Sequence, residues 1–481
     1  MTPIPWPAAP PGSSGRPTSP ERPGTPLTHP RTTERSMTPS RIAITPVTAV
    51  TCDESFQVIP DAAIHLEDGA ITYVGPAADA PEFTPHETFG GPHLVAMPGL
   101  VNTHCHAAMT LLRGYADDMA LEEWLQTKIW PFEGGLDAED IHWGTQLAVA
   151  EMLQNGVTTF ADMYFQHRRA TEGLTASGIR ALPSAAVIGV FPDVPGQVAE
   201  ARAWAREMKG AGEGRVLPSI APHSLYTCDR DAWTAVIEAV EEVEVPIQTH
   251  ASETRFEVEE VRRQWGATPI QALDELGALE HHLIAAHCVH LDERDMEIMA
   301  RPSRGGSAVR VAHNPTSNCK LASGVAPVPE LRRRGVDVGL ATDGVASNNR
   351  LDVWGEMRLA ALIHKAVSFD PTEADADAVL RMATLGGAEV LGLGDRVGSL
   401  EVGKRGDVIL VDFDKPHLHP LHNVVSHLVY AVDARDVETV VVDGRPLFHR
   451  GEFRTVDVEQ AKAEVQRRAR SLARKAEASA G

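Results

Sequence analysis

The stretch MPGLVNTHCH at residues 97–106 is the part of the sequence that decides the fold. An apolar run leads through a turn into two histidines, His104 and His106, which are two positions apart. On a β-strand this spacing places both imidazoles on the same face, so that both can reach one metal ion. Cys105 lies between them and is expected to point to the opposite face, so it is not counted as a ligand. The stretch therefore predicts a strand that carries two metal-binding side chains at its carboxyl end.

Eight short apolar runs of this kind alternate with longer segments of helical character, such as AEDIHWGTQLAVAEMLQNG, through the middle of the chain. Eight consecutive β-then-α units indicate an α/β fold, a (β/α)8 TIM-type barrel, which we assign to residues 99–396. A doubly wound sheet also alternates, but no G-x-G-x-x-G or P-loop sequence follows a strand here. The eight predicted strands are LVAMPGLVNTH, GVTTFADM, RALPSAAVIGV, RVLPSIAPH, VPIQTHAS, LIAAHCV, VRVAHNP and VGLATDG.

Ligand-type side chains stand at the ends of six of these eight strands. Because the carboxyl ends of barrel strands face one mouth, we expect these side chains to converge there. Three imidazoles and one carboxylate, from His104, His106, His250 and Asp343, suit one divalent metal ion, with Zn²⁺ expected and Fe²⁺ the alternative. The full set at the strand ends is His104, His106, His223, His250, His287, His313 and Asp343.

Glu253 follows the predicted ligand His250 by three residues. A carboxylate at this distance is well placed to take a proton from water that the metal has acidified. Taken alone, Glu253 is equally typical of a solvated residue at the start of a helix, and its position beside His250 favours the catalytic interpretation. His287 is a candidate for orienting the attacking water or relaying a proton. Asp343 is a candidate both for binding the metal and for accepting a proton.

The two ends of the chain are rich in short β-strands. Apolar runs flank Asp68-Gly69 and Asp443-Gly444, and each of these pairs is a strong hairpin signal. We therefore predict one small β-sandwich assembled from residues 41–98 and 397–456. Residues 457–481 have the composition of a C-terminal helix and tail. Residues 1–40 are dense in Pro, Gly, Ser and Thr and are predicted to be disordered, because they lack the apolar surface that would offset the entropy of ordering.

The composition excludes several classes of function. Asp and Glu outnumber Lys and Arg by 66 to 44, a formal charge of −22, which argues against nucleic acids and anionic membrane surfaces as partners. No apolar run is long enough for a membrane span. The five cysteines occur singly without C-x-x-C spacing, which favours a reducing compartment and a cytoplasmic location.

Taken together, the motifs resemble those of the amidohydrolase superfamily, and more narrowly those of its methylthioadenosine/S-adenosylhomocysteine deaminase group, whose relatives include triazine hydrolases and guanine deaminases. They occur in the expected order over residues 95–350, and the β-rich flanks match the family's split β-sandwich. The fourth strand ends in A-P-H-S without a lysine, which favours one metal ion over the two-metal sites of other members. The motifs are MPGLVNTHCH, EEWL, APHSLYTC, THASET, AAHCVHL, AHNPTSN and ATDGVASNN.

The resemblance implies the same four metal ligands and adds roles for other residues. It implies Glu253 as the proton shuttle and His287 as the residue that assists water attack. It also implies that Glu133 holds ribose hydroxyls and that His223 contacts the heterocycle. The sequence departs from the family after the third strand, where PSAAVIGV offers no cation for a substrate carboxylate.

These observations predict a metal-dependent hydrolytic deaminase of an aminated N-heterocycle, an adenosine-type nucleoside being the expected small-molecule substrate. The alternatives are a guanine, pterin or triazine amino- or chlorohydrolase, or a cyclic amide hydrolase, because fold and metal do not fix the leaving group. A barrel that binds without turnover is disfavoured, since every predicted ligand and proton-carrying position is filled. By analogy with relatives, a homo-oligomer is expected.

Overall fold

The structure is a computed structural model that describes residues 40–165, 167–303 and 306–480. The predicted disordered segment, except for Ser40, lies outside the described residues. All five cysteines lie within them and are free thiols.

Eight parallel strands form the predicted barrel, and their order in the sheet follows the chain from the first strand to the eighth. We refer to them as barrel strands one to eight. Their side chains are almost all buried, as expected for a parallel sheet covered on both faces. They are Leu100–Cys105, Val157–Tyr164, Arg180–Val187, Ser219–Pro222, Ile247–Ala251, Leu283–His287, Arg310–His313 and Val338–Leu340.

Polar contacts link barrel strands one and eight and so bring the two ends of the sheet together. The backbone N–H of Asp343 donates to the carbonyl of His104 at 3.1 Å. The Asn102 amide donates to the Thr342 hydroxyl at 2.8 Å and accepts the Thr342 backbone N–H at 3.0 Å. This connection places His104 and Asp343 side by side, although they are far apart in the sequence.

The helices between the barrel strands are amphipathic. In Arg230–Val243, apolar side chains three or four residues apart are buried, and Asp229 caps the start by accepting the backbone N–H of Ala232. Within the described residues, no helix is both long and apolar enough to cross a membrane. The longer helices are Ala138–Gln154, His167–Ser177, Val194–Met208, Arg230–Val243, Arg255–Trp265, Pro269–Glu275, Glu293–Met299, Pro315–Lys320, Val328–Arg333, Val353–Ser368, Ala376–Ala383, Leu385–Val390, Val424–Tyr430 and Val458–Ala480.

Both chain ends contribute strands to one continuous nine-stranded sheet. This confirms the prediction that the two ends form one β-rich unit, which we call the terminal β-module. Both predicted hairpins are present, with left-handed backbone at Asp68-Gly69 and at Asp443-Gly444. Leu94–Pro98 joins the two halves, because it pairs with the first strand of the chain and with Val408–Asp412. The strands are Arg41–Val50, Val58–Glu67, Ala70–Pro76, Glu87–Phe89, Leu94–Pro98, Val408–Asp412, Val437–Val442, Arg445–His449 and Glu452–Phe453.

The run LVAMPGLVNTH, predicted as one strand, is two strands in the structure. Leu94–Pro98 belongs to the terminal sheet and Leu100–Cys105 to the barrel. Gly99 separates them, and a Cβ at this position would lie 2.0 Å from the Thr158 hydroxyl oxygen. Because both strands are buried and apolar, hydrophobic pattern alone could not show that the chain passes from one sheet to the other at this glycine.

Candidate metal centre and active site

Three histidines and one aspartate from three barrel strands meet at the mouth of the barrel. His106 Nε2 lies 3.1 Å from Asp343 Oδ1, and His104 Nε2 lies 3.6 Å from the same oxygen. His250 Nε2 lies 3.4 Å from His106 Nε2. The structure therefore brings together the four residues that the sequence predicted as ligands.

The imidazoles are oriented by hydrogen bonds on their other ring nitrogens. His106 Nδ1 lies 2.6 Å from the carbonyl of Met163, and His250 Nδ1 lies 2.8 Å from the carbonyl of His223. A carbonyl only accepts, so each Nδ1 carries a proton, and Nε2 is the nitrogen that can bind a metal ion at the centre. His104 Nε2 is buried and has no hydrogen-bond partner among the described residues. A metal ion at this position would satisfy all three nitrogens.

The electrostatics of the group also fit a divalent cation. Burial lowers the pKa of His104 to about 4 and that of His250 well below its usual range, so both imidazoles are neutral. Burial alone would raise the pKa of Asp343, but the neighbouring imidazoles of His104 and His106 hold it well below its ordinary value. Burial would lower the pKa of His106, but the adjacent Asp343 raises it to about 9, so His106 would lose its proton on binding a metal ion. Imidazole nitrogens beside an ionised carboxylate are a donor set suited to zinc-like metals.

The Asp343 carboxylate is fixed by two serine hydroxyls. Ser317 and Ser347 each donate to Oδ2 at 2.7 Å, which leaves Oδ1 facing His104 and His106. The residue itself has left-handed backbone, with φ of 61°. Both serines lie in the motifs AHNPTSN and ATDGVASNN, but this role was not predicted for them, because it depends on a contact between distant segments.

His287 lies at the edge of the same group. Ligand atoms of His104, His250, His287 and Asp343 all lie within 4.8 Å of one another. The Nδ1 of His287 is anchored by Asn318 Oδ1 at 2.8 Å, and its Nε2 is 3.7 Å from Glu253 Oε2. Burial opposes protonation of His287, but Glu253 and Asp343 raise its pKa.

Glu253 lies close to the candidate metal centre but is not one of the residues that form the group. Its pKa is raised because the carboxyl is buried, although the neighbouring His287 opposes this effect. A carboxyl group with a raised pKa can both accept and return a proton. Ser323 Oγ donates to Glu253 Oε1 at 3.4 Å, and Glu257 accepts the Glu253 backbone N–H at 2.7 Å.

A largely apolar pocket opens above the group, and both predicted substrate-binding residues line it. Tyr164 donates its hydroxyl to Glu133 Oε1 at 2.7 Å, and burial raises the pKa of Glu133 to about 7. The His223 ring lies 4.8 Å from the His250 ring, with Nδ1 3.1 Å from the Thr227 hydroxyl. The sequence analysis did not identify Tyr164 or the aromatic pocket walls, which include Trp124, Trp130, Phe165 and Phe191.

The expectation that His313 joins the convergent group is wrong. Its Nε2 lies 3.2 Å from Nε2 of His364, a buried residue of the helix Val353–Ser368. Alternate strands of a barrel contribute to each interior layer, and His313 is level with His287 on the neighbouring strand. Because His287 points into the barrel, His313 points outward to the surrounding helices.

Comparisons with known proteins agree with this geometry. Residues 95–447 match the Amidohydrolase family. A 5-methylthioadenosine/S-adenosylhomocysteine deaminase of Desulforudis audaxviator (strain MP104C) is 47% identical over 410 residues, 85% of this chain and 94% of the relative. A protein of the same name from Pelotomaculum thermopropionicum is 45% identical over 90% of this chain and 99% of its own length.

Among solved structures, a zinc-bound adenosine deaminase from Xanthomonas campestris superimposes with a TM-score of 0.85. It is 36% identical, and the match covers 90% of this chain and 98% of the neighbour. The family match and the deaminase relatives identify a hydrolase that acts on C–N bonds other than peptide bonds, and the His/Asp group is its candidate metal site. The chain belongs to the Amidohydrolase family.

Proposed function

We propose that the protein is a hydrolytic deaminase that replaces the ring amine of an adenosine-type nucleoside by a carbonyl and releases ammonia. The observation that carries this proposal is the pairing of Glu253 with His287 beside the His/Asp group, at the inner end of a pocket that also contains Glu133. The names of the relatives from Desulforudis and Pelotomaculum support the same substrate class.

His104, His106, His250 and Asp343 would hold one metal ion, for which we propose Zn²⁺. Imidazole nitrogen and carboxylate oxygen suit Zn²⁺, and the Xanthomonas neighbour contains that ion. When bound, such an ion acts as a Lewis acid and lowers the pKa of water, so that water can lose a proton and act as a nucleophile at neutral pH.

Side chains around the metal site accept the two protons of the attacking water and transfer them to the substrate. Glu253 accepts the first proton and delivers it to the ring nitrogen next to the amine-bearing carbon. After the C–O bond forms, Asp343 accepts the second proton, which is passed to the amine as the C–N bond breaks. Ammonia leaves, and a carbonyl beside a ring N–H remains. His287, anchored by Asn318, orients the attacking oxygen and keeps Glu253 in place.

Glu133 and His223 are proposed to position the substrate. Glu133 carries two carboxylate oxygens, which match a pair of ribose hydroxyl donors. Tyr164 donates only to Oε1 of Glu133, so Oε2 can still accept a hydrogen bond from a ribose hydroxyl. His223 is held by the Ser224 and Thr227 hydroxyls with its ring against His250, and this position supports a contact with the heterocycle.

The proposal is tested with the zinc-loaded protein by measuring ammonia release from 5′-methylthioadenosine, adenosine and guanine, and chloride release from a chlorinated triazine. We expect turnover of the adenosine-type compounds, its loss after removal of the metal, and a fall of at least about a thousandfold in Glu253→Gln. Glu259→Gln, an exposed change six residues further on, is the matched control and should retain activity. Turnover of only guanine or the triazine, or an unchanged Glu253→Gln, would refute the proposal.

A further inference from the structure

One wall of the pocket is an apolar loop that follows barrel strand three. Ile188, Val190 and Phe191 line the pocket there, and Val190 is 46% exposed, which puts it at the mouth. Gln197 fixes the loop, because its amide oxygen accepts the Ile188 N–H at 2.9 Å and its amide nitrogen donates to the carbonyls of Ile188 and Pro192 at 3.3 and 3.2 Å. These hydrogen bonds hold the loop in place as a wall of the pocket.

Among the described residues, the side chains that line the pocket include carboxyl groups but no lysine or arginine. The carboxyl groups are those of Glu133, Glu253 and Asp343. A carboxylate at the wall formed by Ile188, Val190 and Phe191 would meet apolar surface, with no lysine or arginine among the described lining residues to pair with it.

Among the cations close to the pocket in sequence, Lys128 is exposed and does not line the pocket, and three others are already paired with other groups. Arg168, in the helix after barrel strand two, donates to Glu200 at 2.6 Å and to Glu207 at 2.5 Å. Arg169 contacts Glu139 at 2.7 Å. Lys320 donates to Asp117 at 2.5 Å. Moving any of these three to a substrate would break an existing ion pair.

The register of the barrel places the apolar wall next to the proposed sugar site. Tyr164, which holds Glu133, is paired with Ala185 on barrel strand three, a few residues before Ile188. The Tyr164 ring also stacks on Phe165 at 4.5 Å, and Phe165 lines the pocket. A nucleoside with its amine at Glu253 and its ribose at Glu133 would therefore direct its 5′ substituent towards the apolar wall and Val190.

From this arrangement we infer that the enzyme selects nucleosides whose 5′ substituent is apolar and uncharged, such as a methylthio group, and discriminates against those that carry a carboxylate, such as S-adenosylhomocysteine. The inference rests on the proposed function and adds specificity to it. The names of the relatives give methylthioadenosine and S-adenosylhomocysteine together, and the inference is that this enzyme prefers the first to the second.

The test uses two thioether nucleosides with the same three-carbon chain, one of which ends in a methyl group and the other in a carboxylate. They are 5′-propylthio-5′-deoxyadenosine and 5′-(2-carboxyethylthio)-5′-deoxyadenosine, assayed with the zinc-loaded enzyme beside 5′-methylthioadenosine and S-adenosylhomocysteine. We expect kcat/KM to favour the uncharged member of each pair by at least about tenfold, as for an unpaired charge at a partly open site. A preference below tenfold overturns the inference while leaving the deaminase proposal intact. No turnover of any of the four compounds refutes the deaminase proposal itself.

A second measurement assigns the selectivity to the loop. Val190→Arg supplies a cation at the mouth, and we expect it to raise the kcat/KM of the carboxylate compound relative to the propylthio compound by about tenfold. Val190→Met adds length without charge and should leave that ratio unchanged. An unchanged ratio in Val190→Arg, or an equal change in Val190→Met, contradicts the placement of the 5′ substituent at this wall.

Discussion

The carboxylate of Glu257 accepts the backbone N–H of Glu253 at 2.7 Å, and its other oxygen accepts the N–H of Ser252 at 2.9 Å. Glu257 is buried at the first turn of the helix Arg255–Trp265, and Ser252 has left-handed backbone with φ of 56°. This carboxylate therefore fixes the turn from which the proposed proton shuttle projects. It acts on the reaction through Glu253 and does not line the main pocket.

Glu257→Gln is expected to lower kcat for 5′-methylthioadenosine by about ten- to a hundredfold, with KM changed less than about threefold. Glutamine keeps one acceptor oxygen, so one of the two N–H groups loses its partner and Glu253 is less well positioned. Steady-state kinetics and thermal unfolding should be compared with the exposed variant Glu259→Gln. Unchanged kcat in a folded Glu257→Gln protein would show that this contact does not position the shuttle.

The two serines that hold Asp343 are expected to tune the affinity for metal. Ser317→Ala and Ser347→Ala each remove one 2.7 Å hydrogen bond to Oδ2, and loss of such a contact should weaken zinc binding by about tenfold. Competition with a chromophoric chelator measures this affinity directly. The exposed Ser471→Ala on the terminal helix serves as the control. Equal affinities in all three variants would contradict the role of the hydroxyls.

A buried ion pair joins the barrel to the terminal sheet and should dominate stability at that boundary. Arg180, the first residue of barrel strand three, donates to both oxygens of Asp407 at 2.8 and 2.9 Å, and neither side chain is exposed. Asp407→Asn leaves the guanidinium without its main counter-charge and should lower the free energy of unfolding by about 3 kcal/mol. Urea unfolding measures this change.

The matched control for that prediction is an exposed ion pair. Arg202 contacts Glu242 at 2.9 Å, and both side chains are more than 40% exposed. Glu242→Gln should change the free energy of unfolding by less than about 1 kcal/mol, because water already solvates these charges. If Asp407→Asn costs no more than Glu242→Gln, the buried pair does not carry the stability assigned to it.

The parts of the site that could be predicted from sequence are those fixed by local pattern. His104 and His106 are placed by strand periodicity, and His250 and Asp343 by the rule that barrel strands end at one mouth. The hairpins at Asp68-Gly69 and Asp443-Gly444 are likewise local. The sequence therefore predicted the eight-stranded barrel, the terminal β-module and the convergence of the four residues.

The remaining features depend on contacts between distant segments. The inward or outward orientation of His313 depends on the register of two neighbouring strands, which its own segment does not contain. Tyr164 reaches Glu133 from 31 positions away, and Ser317 reaches Asp343 from 26. Such contacts become visible only when the packing is known, because serine and tyrosine are common in many environments.

Glu356 gives a prediction for the pH dependence of stability. Its carboxyl is buried and accepts the N–H of Thr316 at 3.0 Å and the amide of Asn348 at 2.7 Å, and burial raises its pKa from 4.5 to about 7. Because the folded pKa is the higher one, this group stabilises the fold fully below about pH 4.5, and the contribution is lost as the pH rises through about 7. The difference between the two pKa values corresponds to about 3 kcal/mol.

The measurement compares the wild type with Glu356→Gln, whose amide stays uncharged at every pH. The wild-type free energy of unfolding minus that of the variant should decrease by about 3 kcal/mol between pH 4.5 and pH 8, as measured by urea unfolding. Other buried carboxyls, such as Glu257 with a pKa raised by burial to about 7, are present in both proteins and cancel in the difference. The exposed Glu259→Gln should show no such trend. A difference that stays constant across this range, or grows with pH, would mean that Glu356 is ionised in the folded protein and is stabilised by its two hydrogen bonds.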